Sequence, residues 1–409
     1  MKTKAVRIYG KNDLRLEEFE LPQIKDDEIL AKVVTDSICM STWKLANQGA
    51  SHKKAPNDID QNPIMIGHEF CGDIIEVGSK WANQYHAGEK YVVQANLQLP
   101  DSPYCPGYSY QYTGGDATYI VISKDVMEQK CLIPYEGDTY FEGSLIEPLS
   151  CVVGAFSANY HLLHGTYEHQ MGIKPEGNLL IMGGTGPMGL LAIDYALHGP
   201  VKPKKIVVTD RHQDKLDRAA KVYPSQNGIT VDYVNVKEVE NQVDLLKKVA
   251  KVQGFDDIFV MVPNKEAIKD ASSLLKEDGC FNFFAGPQDK NFQAEANFYD
   301  IHYSSTHYVG TSGGNLEDTR KAVELIENGT IKVANVVTHI LGLNEVAQTT
   351  LNQPQIGGGK KLVYTHKEMP LRKLSELASN DPLAEILIKT DGIWSKEAEE
   401  YILATQTEI

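Results

Sequence analysis

The sequence predicts an α/β fold, with β-rich chain flanking a doubly wound parallel sheet. Three observations predict it. Residues 1 to about 150 carry short alternating strands separated by Gly, Pro, Asn and Asp, the pattern of a partly closed barrel or sandwich. From about residue 155, buried apolar strands alternate with amphipathic helices, the rhythm of βαβ units. A glycine run, Gly184 to Gly189, stands where the first of those strands meets its helix.

In the first segment, alternation marks Ala5-Val6-Arg7-Ile8, Ile29 to Val34, Ile74 to Gly78 and Tyr91-Val92-Val93. Residues 50–63 and 97–115 are polar and turn-rich, and read as loops. In the middle, strands are expected at 178–182, 205–209, 231–236, 258–261, 280–284 and 307–309. The intervening helices run from the glycines through Leu197, from Asp214, over Leu245, Val249 and Val252, and over Ile268, Ala271 and Leu275. The last runs from about Leu316 to Asn328 and ends at Gly329, a left-handed cap. The tail holds a strand at 361–364. Two helices follow, opened by Asp381-Pro382 and by Ser395, both N-cap signals.

Composition excludes several classes of function. The chain has 409 residues, 42% apolar and 23% charged, with 40 Lys plus Arg against 55 Asp plus Glu. A net charge of −15 disfavours a nucleic-acid or anionic-membrane surface, because phosphate backbones bind clustered positive charge. No apolar run approaches the ~18 residues that span a bilayer, and the start lacks the apolar stretch of a signal peptide. A cytoplasmic protein without a nucleic-acid or membrane partner is expected. Its six cysteines are scattered, with no Cys-x-x-Cys pair, so most are expected reduced and buried.

Gly184-Thr185-Gly186-Pro187-Met188-Gly189 fits G-x-G-x-x-G between a strand and a helix, and Asp210 ends the next strand. That context binds a dinucleotide: the glycines admit the pyrophosphate to the helix N-terminus, and the acid accepts from the ribose hydroxyls. A tight turn serving another ligand is the competing reading. Asp210 favours NAD, because a 2′-phosphate meets its charge. Arg211 softens that preference, so NAD(H) or NADP(H) is expected. Lys215, one turn on, is placed over the adenosine or in solvent.

A second constellation surrounds Gly67-His68-Glu69. Cys39 stands two residues before Ser41, and Glu147 interrupts the apolar run Leu145-Ile146-Glu147-Pro148-Leu149. A buried lone carboxylate is costly, so Glu147 needs a partner. One Cys, one His and one or two Glu suit a catalytic Zn2+ with an open position. Singly, each reads as structural: a loop histidine, a core cysteine, a paired acid.

These pieces, in this order, resemble the zinc-dependent medium-chain alcohol and polyol dehydrogenases. The matching stretches are Cys39-x-Ser41, Gly67-His68-Glu69-x-x-Gly72, Gly88 to Val93, Glu147-Pro148-Leu149 and the glycine run. The resemblance implies a Rossmann domain inserted in a GroES-like catalytic domain. The expected division is 1–157 and 331–409 for the catalytic domain, with a C-terminal extension, and 158–330 for the NAD(P)-binding domain. Glutamate at 147 is similar to the sorbitol-dehydrogenase branch, which implies Cys39, His68, Glu69 and Glu147 as the metal set, with Glu69 able to ligate directly and Glu147 binding directly or through the metal's water. Relatives often hold a structural zinc on four cysteines near residues 95–115. Only Cys105 stands there, so one catalytic zinc and no structural zinc are expected. The usual Gly-Ser-Asp after the first ligand is replaced by Met40-Ser41-Thr42, and a frequent histidine by Lys44.

Residues 282–287 and 302–314, Met1 to Lys4, Ser41 to Lys44 and the tail are similar to the L-sorbose-1-phosphate reductase subgroup. This implies reduction of a ketose 1-phosphate, L-sorbose 1-phosphate to D-glucitol 6-phosphate. The catalytic set is then Cys39, His68, Glu147 and Ser41, the last as proton relay or, alternatively, as cap of a helix near Thr42. A phosphate needs donors. Candidates are Lys44, the cluster His52-Lys53-Lys54, and Gly313-Gly314 before a helix, against a solvated loop and simple room for the cofactor. An unphosphorylated polyol dehydrogenase is the rival enzyme, and a dinucleotide-binding protein without turnover the rival class. Relatives are homodimers or homotetramers, and the same is expected here.

Overall fold

The structure, a computed structural model, describes residues 1–409. The chain forms two compact units. One comprises Met1–Pro148, Asn315–Asn328 and Val333–Ile409; the other comprises Leu149–Gly314 and Gly329–Lys332. The boundaries differ from 157/158 and 330/331 for two reasons. Helix Ile146–Ala158 runs through the first junction. Leu316, which opens helix Leu316–Glu327, packs on the core of the unit built from the chain ends.

That unit is organised by strand Ile29–Ser37. It pairs antiparallel with Phe70–Val77, with Tyr119–Ile122 and with Lys360–Tyr364. Lys360–Tyr364 lies parallel to Val337–Gly342, so both ends of the sequence share one sheet. Phe70–Val77 continues to Lys90–Val93 and Leu132–Pro134. The core beneath gathers Val6, Ile8, Ile29, Val33, Tyr91, Ile120, Leu341 and Val363, all buried. A strand not signalled by alternation, Asp13–Glu20, forms a hairpin with Lys2–Gly10. Its residues are half-buried or exposed on both faces, so no apolar period marks it.

The other unit is a six-stranded parallel sheet. Its order is Thr230–Asn235, Lys205–Asp210, Asn178–Met182, Phe255–Val260, Leu275–Phe283 and His307–Gly310. Counted along the chain this is 3-2-1-4-5-6, the doubly wound arrangement whose switch point lies at the first strand. Helix Pro187–His198 follows that strand and starts on the glycine run, with Gly186 as N-cap and proline in its first turn. Two expected helix faces shift. Helix Gln242–Ala250 buries Leu246 and Ala250, while Val249 is exposed and Val252 lies past the end. The neighbouring set one residue on also repeats at helical spacing, and its small alanine permits close packing. Leu275 opens a strand; the helix before it ends at Leu274.

Asp381 and Ser395 cap their helices, accepting from the N–H groups of Leu383 and Ala398. The second of these, Lys396–Thr405, carries the buried Glu399. Its carboxylate accepts the N–H groups of Tyr140 and Phe141, each at 2.8 Å. The C-terminal segment thereby caps helix Tyr140–Ser144, whose own N-cap residue Thr139 makes no side-chain cap bond. No helix is long and apolar enough to cross a membrane.

Candidate metal centre and glycine loop

Cys39 is the N-cap residue of helix Met40–Gln48. His68 and Glu69 directly precede strand Phe70–Val77. The turn before them needs Gly67, whose φ is +88°; a β-carbon there would meet Asp36 Oδ2 at 2.0 Å. The backbone can therefore lie against a buried acid only without a side chain. Asp36 Oδ1 in turn accepts the N–H groups of Glu69 (3.0 Å) and Ser37 (2.7 Å), which fixes the start of the strand.

These elements bring one ligand atom each of Cys39, His68 and Glu69 within 4.8 Å of one another. Ser41 Oγ lies 3.0 Å from Cys39 Sγ and 3.2 Å from His68 Nε2. Thr42 Oγ1 is 3.3 Å from His68 Nδ1, so the other ring nitrogen faces the thiol. Burial, only partly opposed by the Glu69 charge, pushes His68 down to about 4 and keeps its imidazole neutral. Burial and then the Glu69 charge push the Cys39 thiol up to about 12. A thiol, a neutral imidazole and a carboxylate in one buried cluster form a donor set that a divalent cation completes, drawing the proton off sulfur. The residues present fit a catalytic zinc.

Glu147 stands apart from this trio. It is in the first turn of Ile146–Ala158, half-buried, and its charge acts on Cys39, Tyr108 and Lys360. It therefore shares the electrostatic environment of the trio without joining its 4.8 Å group. Ser41 lies inside a helix that begins at Met40, so it caps nothing, and its hydroxyl sits between thiol and imidazole.

Several neighbours were not apparent from the sequence. Lys360 Nζ donates to both Glu69 oxygens at 2.5 Å, and the Ser37 hydroxyl donates to Glu69 Oε2. Burial alone lowers the pKa of Lys360, and the Glu69 charge more than reverses this. The signal was available: Lys360-Lys361 opens an apolar strand, and a buried cation requires a partner. Tyr108 is buried, with its OH 3.3 Å from His68 Nε2. It lies in the segment read as a plain loop. That segment presses on the site, because a β-carbon on Gly107 would meet Gly67 O at 2.1 Å.

In the glycine run, a β-carbon on Gly189 would meet the backbone of Gly184 at 2.4 Å, whereas one on Gly186 would meet nothing within 4 Å. Gly184 and Gly189 thus serve strand–helix packing, and Gly186 leaves open space at the helix N-terminus where Pro187 and Met188 begin. Asp210 Oδ1 accepts Arg211 N (2.7 Å) and His212 N (3.0 Å), and Oδ2 accepts the Thr185 hydroxyl. Burial opposes ionisation of Asp210, but these bonds outweigh it and lower its pKa. The side chains of Arg211 and Lys215 are exposed.

Gly313 and Gly314 do not form an anion cradle at the following helix. Asn315 and Asp318 make a capping box there that takes the N–H groups of both, and Glu317 adds a second acid to the first turn, so the field that would draw an anion is opposed. Gly314 is needed for packing, since a β-carbon would meet Ser150 Oγ at 2.6 Å. Lys44 lies half-buried one helical turn after Ser41.

Family models agree with this architecture. Residues 25–132 match the alcohol dehydrogenase GroES-like domain, and residues 187–328 match zinc-binding dehydrogenase. The chain belongs to the zinc-dependent medium-chain dehydrogenases. It is therefore an oxidoreductase whose cofactors are zinc and NAD(P)(H). It is 59% identical over 407 residues to an L-sorbose 1-phosphate reductase of Klebsiella pneumoniae, covering 100% of this chain and 98% of that protein. It is 45% identical over 412 residues to a mannitol-1-phosphate 5-dehydrogenase of Aliivibrio fischeri, covering 98% and 97%. Among solved structures, a zinc-binding dehydrogenase of Sinorhizobium meliloti bound to NADP superposes with a TM-score of 0.73. The identity is 21%, and the match covers 89% of this chain and 100% of that one.

Proposed function

We propose that the protein reduces a ketose 1-phosphate with NAD(P)H, converting L-sorbose 1-phosphate to D-glucitol 6-phosphate. The observation that carries this is the 59% identity to an L-sorbose 1-phosphate reductase over the whole chain. The proposed metal set is Cys39, His68 and Glu69, with Glu147 as the additional acid. The unit of Leu149–Gly314 and Gly329–Lys332 is the proposed nucleotide-binding domain, with Gly184, Gly186, Pro187, Met188, Gly189 and Asp210 at the cofactor. A cytoplasmic homodimer or homotetramer is the proposed form, and light scattering measures the assembly.

When bound, zinc supplies Lewis-acid polarisation of the ketone, and the nicotinamide supplies the hydride. The chain's own residues do the rest. Thr42 orients the His68 ring through Nδ1. Ser41 holds a proton on Oγ beside Cys39 and His68, and delivers it to the oxygen that becomes the alcohol. Lys360 holds the Glu69 carboxylate in place. Buried Tyr108 closes one side of the His68 ring and keeps water from it.

Oxidation of NADH and NADPH across L-sorbose 1-phosphate, D-fructose 6-phosphate, L-sorbose and D-fructose tests the reading. The 1-phosphate is expected to give the highest kcat/KM. Equal or better turnover of unphosphorylated L-sorbose would establish a polyol dehydrogenase instead.

A further inference from the structure

The chain carries a net charge of −15, yet one wall beside the metal trio is basic. His52 stacks on Tyr108, with ring centroids 5.6 Å apart and planes within 15°. Lys54 Nζ lies 4.9 Å from the centroid of the same ring. On its other contact, the Tyr108 ring is 4.8 Å from the His68 ring. One aromatic ring thus touches both the Lys54 ammonium and a proposed zinc ligand. After burial, the charges that act on His52 are Lys54, Lys53 and Lys44, and together they push it down to about 4. Lys44, on the Ser41 face of its helix, is close enough to feel both Cys39 and Lys53. The Lys54 ammonium and a neutral imidazole therefore share the Tyr108 ring, and every charge acting on His52 is positive.

Such a cluster attracts anions and repels cations. It is placed beside the donors that would hold the reacting carbonyl. In a ketose 1-phosphate the phosphorus is three bonds from the carbonyl carbon. In a ketose 6-phosphate a run of four carbons intervenes.

We propose that Lys53, Lys54 and Lys44, with His52, bind the substrate phosphate, and that they read a phosphate on the carbon next to the reacting carbonyl. This rests on the phosphorylated-ketose reading above and adds the residues and the position of the phosphate. Lys54 contributes a charge-assisted hydrogen bond made directly to the dianion. Tyr108 is the platform that fixes its distance from the site.

The test compares wild type with K54A, K53A/K54A and the charge-keeping K54R. The quantity read is kcat/KM for L-sorbose 1-phosphate divided by that for L-sorbose. K54A is expected to lower this ratio about ten- to a hundredfold, the worth of a charged hydrogen bond, mainly through KM. K54R should restore much of it. Inorganic phosphate should compete with the 1-phosphate in wild type and lose affinity in K53A/K54A, at unchanged zinc content. An unchanged ratio, or an equal loss on both sugars, overturns the proposal. So does a larger loss on D-fructose 6-phosphate than on the 1-phosphate, which places the phosphate site at the far end of the sugar. Failure of the functional reading is seen separately, in wild type alone, as a ratio near one.

Discussion

Lys360 and Glu69 form a buried ion pair in which one ammonium bridges both carboxylate oxygens. Neither side chain is more than 4% exposed, so each charge depends on the other. Removing one partner leaves the other buried and uncompensated. K360M is expected to lose about 3–5 kcal/mol of stability in urea denaturation. K360M/E69Q should recover part of that loss. A K360M protein as stable as wild type would show that the pair does not stabilise the fold.

Cys39 is the thiol of the trio, and its substitution separates metal from cofactor. C39A is expected to lose zinc and turnover. NADH should still bind, because the glycine loop and Asp210 lie in the other unit. Metal analysis should find about one zinc per wild-type chain, as a single three-residue site with an open position requires. Full activity in C39A would remove the thiol from the metal set.

Asp210 already accepts bonds from Thr185, Arg211 and His212, and these hold it ionised. A 2′-phosphate placed there meets like charge. Wild type is therefore expected to prefer NADH. D210A should raise the NADPH to NADH ratio of kcat/KM by about tenfold or more. A wild-type preference for NADPH would shift the weight to Arg211.

His198 gives a pH dependence away from the active site. Its hydrogen bond to Asp194 (2.6 Å) is the first cause of a raised pKa, opposed by burial. The charged imidazole is thus stabilised in the folded state. Its contribution is present in full below the unfolded value of about 6.5 and fades as pH rises through the higher folded value. The stability difference between wild type and H198N should shrink from pH 6 to pH 9. A constant difference would mean that the imidazole charge contributes nothing.

The architecture was legible where each element carries a local period. The parallel sheet, the glycine loop and the caps at Asp381 and Ser395 follow from neighbouring residues. The hairpin strand Asp13–Glu20 was not, because half exposure on both faces erases the period. Helix Gln242–Ala250 was misread by one residue because two apolar sets at helical spacing coexist. Around the metal trio, Cys39, His68 and Glu69 follow from short motifs. Lys360, Ser37 and Tyr108 do not, because their roles arise only when distant segments meet. The glycines before helix Leu316–Glu327 show the opposite error: they resemble an anion loop until the acids that cap the helix are placed.

Glu69 and its partner Lys360 are separated by 291 residues, and the Tyr140 N–H and its acceptor Glu399 by 259. Domains generally form from the N-terminus while the chain is synthesised, at roughly 5–20 residues per second. A nascent chain that has released Cys39, His68 and Glu69 must wait for the parallel sheet and more before Lys360 emerges. During that interval the carboxylate has no ammonium to neutralise it, and strand Ile29–Ser37, beside Phe70–Val77, lacks the sheet neighbour that Lys360–Tyr364 supplies. The catalytic centre is therefore a late product of biosynthesis. A truncated translation product retains every proposed metal ligand and still lacks the pieces that secure them.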